Sequence, residues 1–93
     1  MAAGRGPWRF FGPHLDRAIE SWRTDHLPSD EQVAALYDWA AEFVEIGPGG
    51  PATLHVGAED EWITLVGAAR VVVTYLAVAQ DGLVFVRSIE PAP

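Results

Sequence analysis

The sequence predicts an α+β fold in which a short N-terminal strand and a two-helix hairpin pack on one face of an antiparallel sheet of three to four strands. Two observations support this prediction. Apolar residues recur with helical spacing in the first half of the chain, and two β-rich runs flank Asp81-Gly82 in the second half. A single domain is expected over 8–90, after a flexible segment at 1–7 and before a tail at 91–93.

The first predicted elements are a brief strand and a helix. Residues 8–11 form a short aromatic run that Gly12-Pro13 ends, which indicates a short strand. Apolar residues then follow at i, i+3, i+4 and i+7 with charged residues between them, and the helix is expected to end near Thr24. The apolar stripe of this helix consists of Leu15, Ala18, Ile19 and Trp22.

The second helix, over roughly 29–46, has the clearest signals in the chain. Ser29 and Gln32 have the spacing of a capping box, and Gly47-Pro48 provides a stop. Its amphipathic pattern predicts one buried side and one solvated side. The buried stripe is expected to contain Val33, Leu36, Tyr37, Ala40, Phe43 and Val44, widened by Trp39 and Ile46.

The second half of the chain predicts the sheet. Short strands are expected at 54–56 and 62–66, and Asp81-Gly82 is a strong signal for a two-residue hairpin turn between longer strands. With that turn, Ala77 pairs with Val86, and alternation gives an inner face on the helices and an outer face where a binding site would lie. The inner face would contain Val71, Val73, Tyr75, Ala77, Ala79, Val84, Val86 and Ser88, and the outer face Arg70, Val72, Thr74, Leu76, Val78, Leu83, Phe85, Arg87 and Ile89.

Charge is distributed unevenly along the chain, whose formal net charge is −7. All six basic residues are arginines, and residues 24–61 contain nine acidic residues and no basic one. Binding of nucleic acid through its phosphates needs a basic surface, so direct high-affinity binding is not expected. Asp38, Glu42 and Glu45 follow one side of the second helix, which predicts a solvated face or a contact surface for a basic partner.

Composition and spacing also exclude several classes of site. The chain has no cysteine, and therefore no disulfide, zinc–thiolate site or thiol nucleophile. His14, His26 and His55 are far apart in the sequence, and the glycines of 47–51 lack the spacing of a phosphate-binding loop, so neither a metal nor a cofactor is expected. We expect a cytoplasmic protein without a membrane segment, because no secretory signal or long apolar run is present.

Three segments resemble the RelE/ParE superfamily of bacterial type II toxin–antitoxin modules. The stretch 15–23, Leu-Asp-Arg-Ala-Ile-Glu-Ser-Trp-Arg, resembles the Arg/Lys-Ala-Leu-x-x-Trp-like pattern that opens the helical hairpin of these toxins. Residues 62–75 resemble their second and third strands, where an arginine, apolar residues and a tyrosine follow a short turn. Residues 82–89 resemble their last strand, and the resemblance as a whole covers 9–90.

The resemblance implies two different toxin mechanisms. RelE-type members cleave mRNA on the ribosome, and Arg70 matches the arginine that opens their third strand, with Arg87 as a second catalytic candidate. Trp62 and Thr64 stand where that type has basic residues, and the last residues lack its later arginine and tyrosine, which disfavours an enzyme. ParE-type members bind DNA gyrase, and both types are neutralised by a cognate antitoxin.

We therefore expect a toxin-like protein that acts by binding gyrase or another protein and is neutralised by a cognate antitoxin. One alternative is a ribosome-dependent mRNA endoribonuclease that uses Arg70 and Arg87. Another is an acidic, non-toxic interaction or inhibitor module on the same fold, which the acidic helix side favours. A homo-oligomer is compatible with all three. The expected partner-binding residues are Trp62, Thr64, Arg70, Thr74, Arg87, Asp38, Glu42 and Glu45.

Overall fold

Two helices and five strands make up the computed structural model, which describes residues 8–48, 52–56 and 60–93. The predicted flexible segment at 1–7 lies outside the described residues, as do 49–51 and 57–59. The elements are β1 (Arg9–Phe10), α1 (Gly12–His26), α2 (Asp30–Ile46), β2 (Thr53–Val56), β3 (Glu61–Val66), a 3₁₀ turn (Gly67–Ala69), β4 (Val71–Val78) and β5 (Leu83–Pro91).

All five strands belong to one sheet, in the order β1-β5-β4-β3-β2. Strands β2 to β5 are antiparallel to their neighbours, whereas β1 is parallel to β5 and pairs only with Leu83 and Val84. Residues from both helices share one hydrophobic cluster with a single sheet face, so the predicted α+β class is confirmed. The sheet is wider than expected because both short strands, β1 and β2, join it.

The signals at the ends of the helices act as predicted. The Ser29 hydroxyl accepts a hydrogen bond from the Gln32 N–H, and the Gln32 side chain accepts one from the Ser29 N–H at 3.0 Å, which completes the capping box. The Gln32 amide also donates to the carbonyl of Ala69 at 2.8 Å and so ties α2 to the 3₁₀ turn. Helix α1 ends at His26, two residues beyond the predicted end near Thr24, and its C-cap Leu27 adopts a positive φ of 49° and donates its N–H to the carbonyl of Arg23.

Gly47 ends α2 at a position that requires glycine. Its φ is +76°, and a Cβ atom there would lie 2.5 Å from Nε1 of Trp8. The backbone N–H of Trp8 donates to the carbonyl of Val44 at 2.8 Å, and its ring packs edge-on against Phe43. The segment that leads into β1 can therefore approach α2 this closely only because residue 47 has no side chain.

The hydrophobic core lies between the helices and the inner face of the sheet. Aromatic rings of Phe10, Trp39, Phe43 and Tyr75 contact one another there, with centroid distances between 5.2 and 6.1 Å. The predicted inner-face residues of β4 and the first half of β5 are buried, as expected. They are Val71, Val73, Tyr75, Ala77, Val84 and Val86.

Two residues of the predicted α2 stripe are not part of the core. Tyr37 is 49% exposed and Ile46 is 63% exposed. Successive residues of a helix lie about 100° apart, and the buried side is centred on Leu36 and Phe43. Trp39 fills the flank on one side of that centre, which leaves Tyr37 on the opposite flank facing solvent.

The β4–β5 hairpin differs from the predicted register by two residues. Ala77 pairs with Val84, and not with Val86. A two-residue type I′ turn needs a positive φ at both central residues, whereas in the structure only Gly82 of the Asp81-Gly82 pair has one. The chain therefore uses a longer turn. Because the shift is an even number of residues, the inner and outer faces near the turn stay as predicted.

A β-bulge in β5 exchanges the two faces beyond Val86. Tyr75 pairs with Val86 and the residue before Tyr75 pairs with Ser88, so Arg87 is the extra residue. Ile89 is therefore buried and Ser88 lies on the outer face, the reverse of the prediction. The signal in the sequence is the Val-Arg-Ser-Ile spacing, since two polar residues between two apolar ones break the alternation of a regular strand.

Candidate functional site

The predicted partner-binding residues do not form one surface. Trp62 pairs with Tyr75 and Thr64 with Val73, which places both on the inner face of β3. Thr74 lies on the outer face. Beside it, the side chain of Arg87 reaches toward Glu61 of β3 across the outer face, and Arg70 is exposed at the start of β4 with a φ of 58°. Asp38, Glu42 and Glu45 are exposed on α2, on the helical side of the molecule, as predicted.

Thr64 belongs to a chain of hydroxyl groups that crosses three strands. Its Oγ1 lies 2.8 Å from the hydroxyl of Tyr75 and 3.0 Å from Oγ1 of Thr53. Burial raises the pKa of the Tyr75 hydroxyl, and the hydrogen bond with Thr64 acts in the opposite direction. Thr64 is only 6% exposed, so its side chain is committed to the core of the protein.

Arg70 and Arg87, the two candidate catalytic residues, lie at different levels of the sheet. Nη1 of Arg87 is 3.6 Å from Oε2 of Glu61, in a partly exposed ion pair. The bulge at Arg87 lies opposite Thr74 of β4. Arg70 comes four residues before Thr74, which is a distance of about 13 Å along the strand. Of the predicted site residues on the outer side of the sheet, only Thr74 and Arg87 therefore lie at the same level.

A groove of about 450 Å³ lies between α1 and β5, and sequence reasoning did not find it. We call it the α1–β5 groove. It is lined by His14 and His26, twelve residues apart on α1, and by arginines and carboxylates from both elements. Its lining consists of His14, Arg17, Ala18, Ser21, Trp22, Asp25 and His26 from α1 and Val86, Arg87, Ser88, Ile89 and Glu90 from β5.

The charges of the α1–β5 groove are separated along its length. The N–H of Phe11 donates to the carbonyl of Val84 at 2.8 Å, so α1 begins beside the start of β5 and both lead away from β1. The fourteen residues of helix from Phe11 to Asp25 and the six of strand from Val84 to Glu90 each cover about 20 Å, which brings Asp25 level with Glu90. The groove therefore has Arg17 at the end near β1 and carboxylates at the other end.

Beyond Val84, the edge of β5 beside this groove pairs with no other strand of the described chain, although Val86 itself is only 3% exposed. Along the described parts of the chain, the bond from Phe11 to Val84 is the last backbone hydrogen bond that this edge receives. Backbone groups of a strand alternate between its two sides, so the N–H and C=O of Val86 point the same way as those of Val84. An edge of this kind is a template for pairing with another chain.

The outer face of the sheet is apolar, and none of the described elements covers it. Leu54 is 64% exposed and Leu65 is 45% exposed, and Phe11 packs against Phe85 at the rim with a centroid distance of 5.2 Å. We define the outer face by Leu54, Val56, Glu61, Ile63, Leu65, Val72, Thr74, Leu76, Val78, Leu83, Phe85, Arg87 and Ser88.

Neither a metal cluster nor a membrane-spanning helix is found in the described ranges. No three His, Cys, Asp or Glu side chains within 8–48, 52–56 and 60–93 are grouped so that they could hold a metal ion. The ring of His55 instead lies 4.5 Å from that of Trp62. Neither helix of the described chain is long and apolar enough to cross a membrane.

Comparisons with known proteins give no match. No protein-family model fits the chain, and neither a curated protein nor a solved structure is significantly similar to it. The RelE/ParE hypothesis therefore rests on the three sequence segments described above.

Proposed function

We propose that this chain is the toxin-like member of a bacterial toxin–antitoxin pair, and that it acts in the cytoplasm by binding a target protein until a cognate antitoxin neutralises it. The observation that supports protein binding is the open edge of β5 beside the α1–β5 groove. The order of elements, a strand followed by two helices and a sheet, agrees with the resemblance. DNA gyrase, the target of ParE-type members, is the first target to test.

An extended segment of the antitoxin fits the open edge as an added strand. Residues 85–90 offer about 20 Å of edge, which the bulge at Arg87 divides into two short stretches. Strand β1 already occupies the same edge but pairs with only two residues of β5. Main-chain hydrogen bonds would hold the added strand, and its side chains would contact Trp22 and Ile89 in the groove.

The separated charges favour one orientation of that segment. Arg17 attracts an acidic side chain to the end near β1, and Asp25 and Glu90 attract a basic one to the far end. Exposed ion pairs of this kind contribute roughly 0–1 kcal/mol each. We therefore assign to these charges the orientation and rate of association, and to the main-chain bonds most of the affinity.

The test compares Arg17→Glu with Arg23→Glu as a matched control. Both arginines are exposed on α1, but only Arg17 lines the α1–β5 groove, whereas Arg23 lies near Tyr37. The partner is the small protein encoded by the reading frame adjacent to that of this chain. We expect it to reverse the growth arrest that the chain causes, and we expect Arg17→Glu to weaken the complex about tenfold and Arg23→Glu less than twofold.

Other outcomes distinguish the alternatives. If expression of the chain causes no growth arrest but the complex forms, the chain is the non-toxic interaction module. If the adjacent product neither binds nor reverses an arrest, the toxin–antitoxin proposal is wrong. If growth arrest is seen, a supercoiling assay with purified gyrase tests the target directly, because a gyrase-directed toxin blocks supercoiling without any other cellular component.

A further inference from the structure

We propose that the outer face of the sheet is the interface of a homodimer, in which two copies of this chain pack sheet against sheet. This inference does not depend on the proposed function. The outer face extends across β2 to β5 on the side opposite the helices, and it meets the α1–β5 groove at the rim of β5, where Arg87 and Ser88 belong to both.

The outer face has the composition of a surface that another molecule covers. Two of its leucines, Leu54 and Leu65, are among the most exposed large apolar residues of the described chain. Their neighbours across the strands, Ile63 and Val72, are apolar as well. Monomeric proteins rarely expose contiguous apolar patches of more than a few hundred Å².

The remaining residues of this chain are unsuited to cover that face. Residues 1–7 read Met-Ala-Ala-Gly-Arg-Gly-Pro and offer a single large apolar side chain. The segments 49–51 and 57–59 contain only glycine, proline, alanine and one glutamate. Their composition therefore gives these segments little apolar surface with which to cover the outer face.

The charge of the outer face favours a second copy over a strongly charged partner. At its centre Glu61 and Arg87 form an ion pair at 3.6 Å. At its rim Arg9, paired with Leu83, and Glu90 carry opposite charges. The face is thus neutral as a whole, and an identical neutral, apolar face covers it with the central ion pair intact.

The net charge of −7 does not oppose this dimer, because the excess of acid lies on the helical side. When two outer faces meet, both helical layers point outwards. Two stacked sheets about 10 Å apart, with a helix layer on each side, separate the acidic surfaces by roughly 30 Å. That distance is several times the Debye length of ~8 Å at physiological salt. The acidic side chains in question include Asp16, Glu20, Asp38, Glu42 and Glu45.

The size of the outer face is adequate for a reversible dimer. Four strands at ~4.8 Å spacing, each about seven residues long, give a face of roughly 450 Å² in projection. Two copies cover about 900 Å² in projection and more in accessible area, because side chains make the surface uneven. This estimate lies somewhat below the lower end of specific interfaces, about 1,200 Å² of total buried surface, and predicts a weak, reversible dimer.

Sedimentation velocity on the full chain, from about 1 μM to 1 mM, tests the proposal. We expect the wild type to approach twice the chain mass of 10.1 kDa as concentration rises. Leu65→Glu should raise the dimer dissociation constant at least 30-fold, because the two-fold related copies bring two carboxylates into an apolar interface. The matched control is Ile46→Glu, which makes the same change at a residue 63% exposed at the end of α2 and should alter the constant less than twofold.

Salt dependence provides a second readout. Because the outer face is neutral, the dissociation constant should change less than threefold between 50 and 500 mM NaCl. Circular dichroism checks that each variant is folded, and Leu54→Glu replaces Leu65→Glu if the latter is not. The proposal is overturned if the wild type is monomeric throughout, if both outer-face variants dimerise like the wild type, or if Ile46→Glu disrupts the dimer equally.

Discussion

Tyr75 is the titrating residue whose environment differs most from water. Burial, the larger effect, raises the pKa of its hydroxyl above the ordinary value of 10.0, so the folded state holds this proton more tightly than the unfolded state. As pH rises above about 10, the unfolded state loses the proton first, and the free energy of unfolding falls until pH passes the folded pKa. We predict that Tyr75→Phe removes this alkaline decline, measured by urea unfolding between pH 8 and pH 11.

The composition of the chain makes this measurement specific. The sequence has no lysine and no cysteine, so Tyr37 is the one other side chain with an ordinary pKa near 10. Tyr37 is 49% exposed, and Tyr37→Phe is therefore the control that should keep the decline. At neutral pH, Tyr75→Phe should cost about 1 kcal/mol, since Thr64 retains its bond to Thr53. A decline that disappears in Tyr37→Phe and persists in Tyr75→Phe would contradict the assignment.

At the scale of elements, the start of α2 joins a local signal to a tertiary contact. Ser29 and Gln32 cap each other, and the Gln32 amide also donates to the carbonyl of Ala69 in the 3₁₀ turn. Ser29→Ala removes one capping bond and should lower the free energy of unfolding by about 1 kcal/mol. Gln32→Ala removes the other capping bond and the bond to Ala69 as well, and should cost more.

A urea-unfolding series at neutral pH measures both effects, with Glu31→Ala, at an exposed position in the same turn, as the control. The double variant Ser29→Ala/Gln32→Ala should cost less than the sum of the two single variants, because the capping bonds depend on each other. Equal costs for Ser29→Ala and Gln32→Ala would show that the bond to Ala69 contributes nothing measurable.

Helix α2 could be predicted closely because its determinants are local. The cap, the stop and the spacing of the apolar residues all lie within twenty residues, and the helix begins and ends where they indicate. The outward orientation of Tyr37 could not be predicted, because Trp39 and Tyr37 are equally apolar in a helical pattern. Which of them packs on the sheet is decided by contacts of Trp39 with Phe10 and Tyr75, far away in the sequence.

The register of β5 depends on determinants that residue type alone does not reveal. Asp81-Gly82 marks the position of the turn correctly. The length of the turn is different because Asp81 does not adopt the positive φ that a two-residue type I′ turn needs. The bulge at Arg87 is visible as a break in alternation, yet a regular strand with one buried polar residue would show the same letters. The α1–β5 groove could not be predicted either, because it exists only once α1 runs along the open edge of β5.

At the scale of the whole molecule, charge and apolar surface are sorted by layer. The helical side carries the exposed row Asp38, Glu42 and Glu45, the outer face is neutral and apolar, and the α1–β5 groove combines both signs of charge. Three surfaces with different chemistry suit a protein that binds other proteins. The sequence predicted the acidic row and an apolar outer face correctly, since both follow from periodicity.

The same distribution of charge leads to a prediction about RNA. A net charge of −7 repels a polyanion, and association with RNA is normally accelerated by charge of the opposite sign. Arg87 is engaged with Glu61, and Arg70 lies about 13 Å from the bulge along β4. Trp62 and Thr64 belong to the inner face and offer no cation to a scissile phosphate. We therefore expect no ribosome-dependent cleavage of mRNA.

Primer extension on mRNA from cells that express the chain measures this directly. Samples from wild type and from Arg70→Ala should give the same pattern of transcripts as cells without the chain. Arg70→Ala is the most informative substitution because Arg70 is exposed and the loss of its side chain leaves the core intact. Cleavage within codons that appears with the wild type and disappears with Arg70→Ala would show that the chain is an endoribonuclease. The charges around Arg70 and Arg87 would then be arranged differently on the ribosome than in the isolated chain.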